Sequence, residues 1–186
     1  RTSDHTATHA GSFDPITSGH LDVFTSARAI FPRIIVGIEH NPDILALFPY
    51  DERLSMASTL VEELVQQNPN TAPVSVEQYS GLTVDFAKNS GAVALLRGIR
   101  NVTDLAMETQ LAITNRQVAH METVFIITGE AYAFTSSSLI RQIAALGGDV
   151  ERLASIIPPL VIDRLKALQE DPSSSLHVLG TDAHIE

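Results

Sequence analysis

The sequence predicts a single α/β domain built on a doubly wound, five-stranded parallel sheet. Short runs rich in β-branched residues alternate with helical segments about five times, the pattern of a parallel sheet covered by helices on both faces. No internal repeat and no long linker interrupts the alternation. A length of 186 residues with 44% apolar composition suits one sizeable core. The domain is expected over 1–171, with 172–186 as a polar, loosely docked C-terminal extension.

TATHA (6–10) is a short β-favouring run. HLDVFTSARAIF (20–31) places Leu21, Phe24, Ala27 and Phe31 on one helical face. RIIVGIEH (33–40) reads as a buried strand. DERLSMASTLVEELVQQ (51–67) reads as a helix with Asp51 as its N-cap. APVSVEQYS (72–80) alternates like a strand, and LTVDFAKNSG (82–91) is a short helix stopped by Gly91. AVALLRGI (92–99) is an apolar strand before the long helix 103–120, and ETVFIITG (122–129) is the fifth strand. SSSLIRQIAALGG (136–148) is a helix with a serine start and a glycine stop, and 151–170 holds two short helices around Pro158-Pro159.

Composition excludes several classes of function. The chain has no cysteine, hence no disulfide, zinc–thiolate site or cysteine nucleophile. Its formal net charge is −10, and its only lysines are Lys88 and Lys166. Such a surface repels nucleic acid and anionic membranes, so neither is an expected partner. No apolar run is long enough to cross a bilayer, RTSDHTATHA lacks the apolar centre of a signal peptide, and the lack of cysteine fits a cytoplasmic protein. An anionic ligand must therefore meet local arginines.

In a doubly wound sheet, ligands bind outside the carboxyl ends of the strands. The unusual residues fall in those loops. GSFDPITSGH (11–20) carries Gly11 and Gly19, which let backbone approach a phosphate, and hydroxyls on Ser12 and Thr17. His20 opens the following helix, where free amides and the dipole favour anions. An imidazole donor there would stabilise charge growing on a phosphate under in-line attack. In LLRGIRNVTDLAMETQ (95–110), Arg97 and Arg100 follow a strand directly and suit fork recognition of phosphates. Asp104 and Glu108, one turn apart on the next helix, could bind a ribose hydroxyl or pair with an arginine. In TSSSLIR (135–141), three serines open a helix and Arg141 follows. One serine suffices as a cap; three in a row point to an anion cradle for β- and γ-phosphates.

The T-x-G-H pattern of residues 17–20 resembles the signature of the nucleotidylyltransferase superfamily. GSFDPITSGHLDV, LFPYDER, LLRGIRNVTD, ETQLAITNR, ETVFIIT, FTSSSLIRQIA and GGDV stand in the order and spacing of the bacterial phosphopantetheine adenylyltransferases. The chain resembles that family from about residue 6 to 168. The resemblance implies a Rossmann-like fold and transfer of AMP from ATP to 4′-phosphopantetheine, giving dephospho-coenzyme A and pyrophosphate. It also implies Mg²⁺ carried mainly on the ATP phosphates with no protein metal site, feedback inhibition by coenzyme A, and a homohexamer. By position it assigns Ser12, Phe13 and His20 to ATP. Gly98, Ile99 and Arg100 of the second loop, Glu108, and the stretch Ala133, Phe134, Thr135, Ser136, Ser137, Ser138 and Leu139 join them. Ser12, Thr83, Arg97 and the position of Ile44 would face the phosphopantetheine arm, with His20, Arg97 and Arg100 supplying catalytic charge.

The chain also departs from that pattern. Where the family carries a lysine two residues after a proline, NPDILALF places Ile44, and no Lys or Arg lies between Arg33 and Arg53. Removing one such donor costs about 10²–10³ in rate, so a slower enzyme, another phosphate acceptor or a non-catalytic nucleotide-binding module are the alternatives. His9-Ala10 replaces the usual Tyr-Pro, Ser18 the usual Asn, Leu105 and Met107 an aromatic-rich stretch, and Thr128-Gly129 the common Met-Pro.

Overall fold

The computed structural model describes residues 5–182. Five strands, β1 (Thr6–Gly11), β2 (Arg33–Glu39), β3 (Val74–Tyr79), β4 (Ala92–Ile99) and β5 (Glu122–Ile127), form one sheet in the order β3-β2-β1-β4-β5. Every neighbouring pair is parallel. Helices α1 (Ser18–Arg28), α2 (Tyr50–Gln67), α3 (Thr83–Asn89) and α4 (Val102–Ala119) connect successive strands, and α5 (Ser137–Ala145), α6 (Pro159–Glu170) and α7 (Ser175–Asp182) follow the sheet. The predicted single doubly wound α/β domain is the architecture found. The order reverses between β1 and β4, so the crevice opens above their carboxyl ends.

The strand pattern explains the two-sided core. On β4, Leu95 points to a cluster with Ala87 and Ala119 under α3 and α4, and its neighbour Leu96 points to the opposite cluster with Val23 and Ala27 of α1. The largest cluster joins Val36 and Ile38 of β2 to α2, α5, α6 and Leu176 of α7. Gly37 is required by packing: a Cβ there would lie 2.4 Å from the Phe86 ring, which stacks on Tyr79 at 4.6 Å.

Three expectations change. Helix α2 begins one residue early with Pro49, not Asp51, at the cap position, and Asp51 sits in the first turn, where a carboxylate complements the free amides. Of the two short helices expected over 151–170, the first is a 3-10 turn at Val150–Leu153. The tail expected to dock loosely forms α7, whose Leu176 is 2% exposed and whose Ser175 hydroxyl donates to Leu47 O. One apolar side chain set at the right turn is enough to seat a short helix, and composition does not reveal it. Residues 183–186 of that tail and 1–4 lie outside the described residues.

Candidate active site

The helix start at Ser18 comes from local chemistry. Thr17 caps α1: its hydroxyl accepts from His20 N–H at 3.2 Å, while the His20 ring reaches back so that Nδ1 accepts from Thr17 N–H at 3.0 Å. This is a capping box with histidine in the place usually held by Glu or Gln. It fixes the ring. With Nδ1 accepting, the proton of the neutral imidazole sits on Nε2, which is left for the cavity. Burial, then the charges of Arg97 and Arg100, lower the His20 pKa from 6.5 to about 4, so the ring is neutral at physiological pH.

The loop before α1 is held from three sides. Phe13 takes a positive φ of 47° in place of the two glycines, and its buried ring packs at 4.8 Å from the His20 ring. Asp14 is 4% exposed and accepts from the N–H groups of Leu47 and Phe48 at 2.7 and 2.9 Å. The buried Arg53 of α2 donates to Ser12 O at 2.6 Å, Arg141 of α5 donates to Asp14 O at 2.6 Å, and the Ser137 hydroxyl donates to Pro15 O at 2.9 Å. The carbonyls of Ser12, Asp14 and Pro15 are thus satisfied from α2 and α5, and the Asp14 carboxylate from the 47–48 segment.

Arg97 and Arg100 come from the end of β4 and the loop after it. Arg97 forks onto Glu108 with both bonds at 2.7 Å and also donates to Ala10 O at 3.2 Å. Arg100 forks onto Asp104 at 2.7 and 2.9 Å and donates to Thr135 O. Asn101 caps α4 by accepting from Asp104 N–H, which sets both carboxylates on the face toward β4. Gly98 between the arginines has no room for a side chain: a Cβ would fall 2.8 Å from Val23 of α1. That close approach brings β4 against the helix carrying His20.

These elements enclose a cavity of about 320 Å³. Of the residues the sequence singles out, Ser12, Phe13, His20, Arg97, Gly98, Arg100, Glu108, Thr135, Ser136, Ser137 and Ser138 line it. Glu108 reaches it while engaged by Arg97. The three serines divide their work: Ser136 caps α5 by accepting from Leu139 N–H, Ser137 holds the first loop, and Ser138 accepts from Arg141 at 3.1 Å. The anion-binding capacity at this edge therefore lies in the first amides of α5 more than in free hydroxyls. Thr83 lies in an adjoining cavity of about 140 Å³ that shares Arg97 and Glu108 with the first.

Five predicted residues line neither cavity. Ile99 is 3% exposed and belongs to the core, Phe134 is 88% exposed, and Ala133 and Leu139 also lie outside. Ile44 is 60% exposed, in a loop that stands away from both cavities. Family position located these five, and position along a chain does not report which way a side chain turns. His9 and Thr128, to which the sequence assigns no role, also line the main cavity, together with Asp104 and Arg141. A polar ring at the carboxyl end of a buried strand was the signal available for His9.

Anion-binding groups that converge at the switch point of a parallel sheet place this chain among nucleotide-binding α/β domains. Residues 9–143 match the cytidylyltransferase-like family. The chain is 42% identical over 169 residues to the phosphopantetheine adenylyltransferase of Desulfatibacillum aliphaticivorans, covering 90% of this chain and 91% of that one. It is 41% identical to that of Heliobacterium modesticaldum, covering 86% and 89%. Among solved structures, a bifunctional NMN adenylyltransferase/ADP ribose pyrophosphatase from Francisella tularensis superposes with a TM-score of 0.63 at 13% identity, over 97% of this chain and 53% of that one. A Plasmodium falciparum nicotinic acid mononucleotide adenylyltransferase superposes with a TM-score of 0.53 at 17% identity, over 88% and 95%. The two superpositions show a shared fold. The chain belongs to the phosphopantetheine adenylyltransferase family, within the cytidylyltransferase-like nucleotidyltransferases.

Proposed function

We propose that this chain transfers AMP from ATP to the terminal phosphate of 4′-phosphopantetheine, giving dephospho-coenzyme A and pyrophosphate. The observation that carries the reading is the orientation of His20: its cap leaves Nε2–H directed to a cavity walled by Arg97, Arg100 and the first turn of α5. An acceptor phosphate oxygen attacks the α-phosphorus, the bond from that phosphorus to the bridging oxygen breaks, and pyrophosphate leaves. The acceptor is already an anion, so no general base is needed. The work is positioning and stabilisation of charge on the α-phosphate. A neutral Nε2–H donor is suited to this, because it needs no prior protonation. The adjoining cavity with Thr83 suits the pantetheine arm, since it meets the main cavity at Arg97.

Asp104 and Glu108 are the carboxylates of the cavity, and both are already paired with arginines. Among the described residues no three His, Asp or Glu side chains lie together as a metal site. In this reading Mg²⁺ is carried by the ATP phosphates, as the family resemblance implies. Coenzyme A, which contains the product, is the expected feedback inhibitor at this site. Assembly into a homohexamer fits helix α4, which buries only Ala119 and exposes Val102, Met107, Ile113 and Val118. No helix among the described residues is long and apolar enough to cross a membrane; a cytoplasmic location accords with the reading.

The test is release of pyrophosphate from ATP, Mg²⁺ and 4′-phosphopantetheine, with His20→Ala as control. Release abolished by the substitution supports the reading; ATP binding without release moves it to another acceptor or a non-catalytic module. The position of Ile44 favours keeping that second reading in the test, because no basic side chain stands in its loop.

A further inference from the structure

His9 is the last but two residue of β1 and lines the main cavity, yet the chemistry above does not use it. It is 6% exposed. Its ring is wedged among Phe13 at 5.3 Å, Phe24 at 5.4 Å and His20 at 6.1 Å, the last two nearly edge-on. Its Nδ1 is sealed from solvent without a hydrogen-bond partner. A buried polar group left unmatched is destabilising, and a buried unmatched donor is avoided where the proton has another place to sit. Two tautomers are open to the neutral ring, and they are unequal here. A proton on Nδ1 would bury an unsatisfied donor. A proton on Nε2 leaves Nδ1 as a bare acceptor and gives the donor to the nitrogen that is not sealed. Burial first, then the charges of Arg97 and His20, hold the ring neutral by lowering its pKa well below 6.5.

We infer that His9 is a second imidazole donor of this site, presenting Nε2–H to a phosphate oxygen of the bound nucleotide beside the Nε2–H of His20. Ring centroids 6.1 Å apart allow both donors to meet one phosphate group. The carbonyl of Ala10, the next residue, accepts from Arg97, so the segment that carries His9 is fixed to an arginine of the same site. Two neutral donors backed by two arginines concentrate hydrogen-bonding capacity on the α-phosphate side. This matters in a chain whose 41–46 loop brings no cation. The inference rests on the AMP-transfer reading for what the donor accomplishes, but not for the phosphate contact itself.

Two measurements test it. The first uses the full chain labelled with ¹⁵N-histidine and titrated with ATP and Mg²⁺. The His9 nitrogens should show the neutral Nε2–H tautomer, and its Nε2 resonance should shift on nucleotide binding. A His9 spectrum unchanged at saturating ATP overturns the inference whether or not the protein turns over. The second is kinetic. His9→Phe keeps a ring against Phe13 and Phe24 and removes both nitrogens. Pyrophosphate release should fall by about 10²-fold in kcat, with KM for ATP within twofold. His9→Gln, which can offer an amide N–H at the Nε2 position, should recover most of that loss and also guards against a misfolded Phe variant. An active wild type with an unaffected His9→Phe overturns the inference alone. A wild type that releases no pyrophosphate overturns the transfer reading, and the spectrum then decides the phosphate contact.

Discussion

The loop from Gly11 to Thr17 and the loop from His40 to Leu47 leave adjacent strands of one sheet, β1 and β2, yet they are secured in different ways. In the first, the carbonyls of Ser12, Asp14 and Pro15 are each taken by a side chain from a distant element, and Phe13, Ile16 and Thr17 are buried. In the second, the bonds between 41 and 46 are local, Asp43 and Ile44 N–H groups turning back to Asn41, and Ile44 and Leu45 point outward. At Leu47 and Phe48 the second loop joins the first directly through Asp14, and Arg53 ties the same two segments by donating to Ser12 O and Phe48 O. The difference teaches where the capacity for charge stabilisation resides. Donors must be held before the reaction to be effective, and the cross-linked loop holds its histidine while the other presents apolar side chains to solvent.

The sharpest way to break this comparison is at His20. His20→Ala removes the cavity donor and should reduce kcat by about 10²–10³-fold, with KM for ATP changed far less. Next in size is an acid effect that only the buried loop can show. The folded pKa of His20 is about 4 against 6.5 unfolded, so the unfolded chain binds more protons between those values. Stability should therefore be flat above pH 6.5 and fall as pH drops toward 4, by up to about 3 kcal/mol from this half-buried group. The direction for His9 is the same. Urea midpoints at pH 7 and 4.5 check it, and His20→Ala should flatten the slope.

Asp14→Ala cuts the direct joint between the two loops and leaves the Leu47 and Phe48 N–H groups unpaired. A loss of about 2–3 kcal/mol is expected in urea unfolding. The smallest effect concerns the exposed loop. Because Ile44 lines neither cavity, Ile44→Lys should place its charge in solvent. An exposed charge contributes up to about 1 kcal/mol, so acceptor kcat/KM should rise less than about fivefold with ATP kinetics unchanged. A gain of 10²-fold would show that the loop closes on the acceptor and that the comparison drawn here is wrong for the liganded protein.

Much of the site was legible because its chemistry is local. Thr17 and His20 are three residues apart, and Arg100 and Asp104 four, so one helical turn assembles each pair without reference to the rest of the chain. The alternation of β-branched runs and helices likewise announces a parallel sheet, since each element must bury a face of known period. His9 was visible only as a departure from the usual Tyr-Pro at the end of a buried strand, without a role, because its significance arises from Phe13, Phe24 and His20 closing around the ring.

The sequence by itself determined the fold class, the family, the histidine that opens α1 and the two arginines after the β4 run, because each is written in neighbouring residues or in a pattern of fixed period. Tertiary structure alone decided three further matters. It occupied Arg97 with Glu108, eleven residues away on α4, it seated α7 against Leu47 through Ser175 and Leu176, and it turned Ile44 away from the cavity. Those outcomes depend on which surfaces meet across the sheet and on where each side chain points when they do, and neither is encoded within a window of adjacent residues.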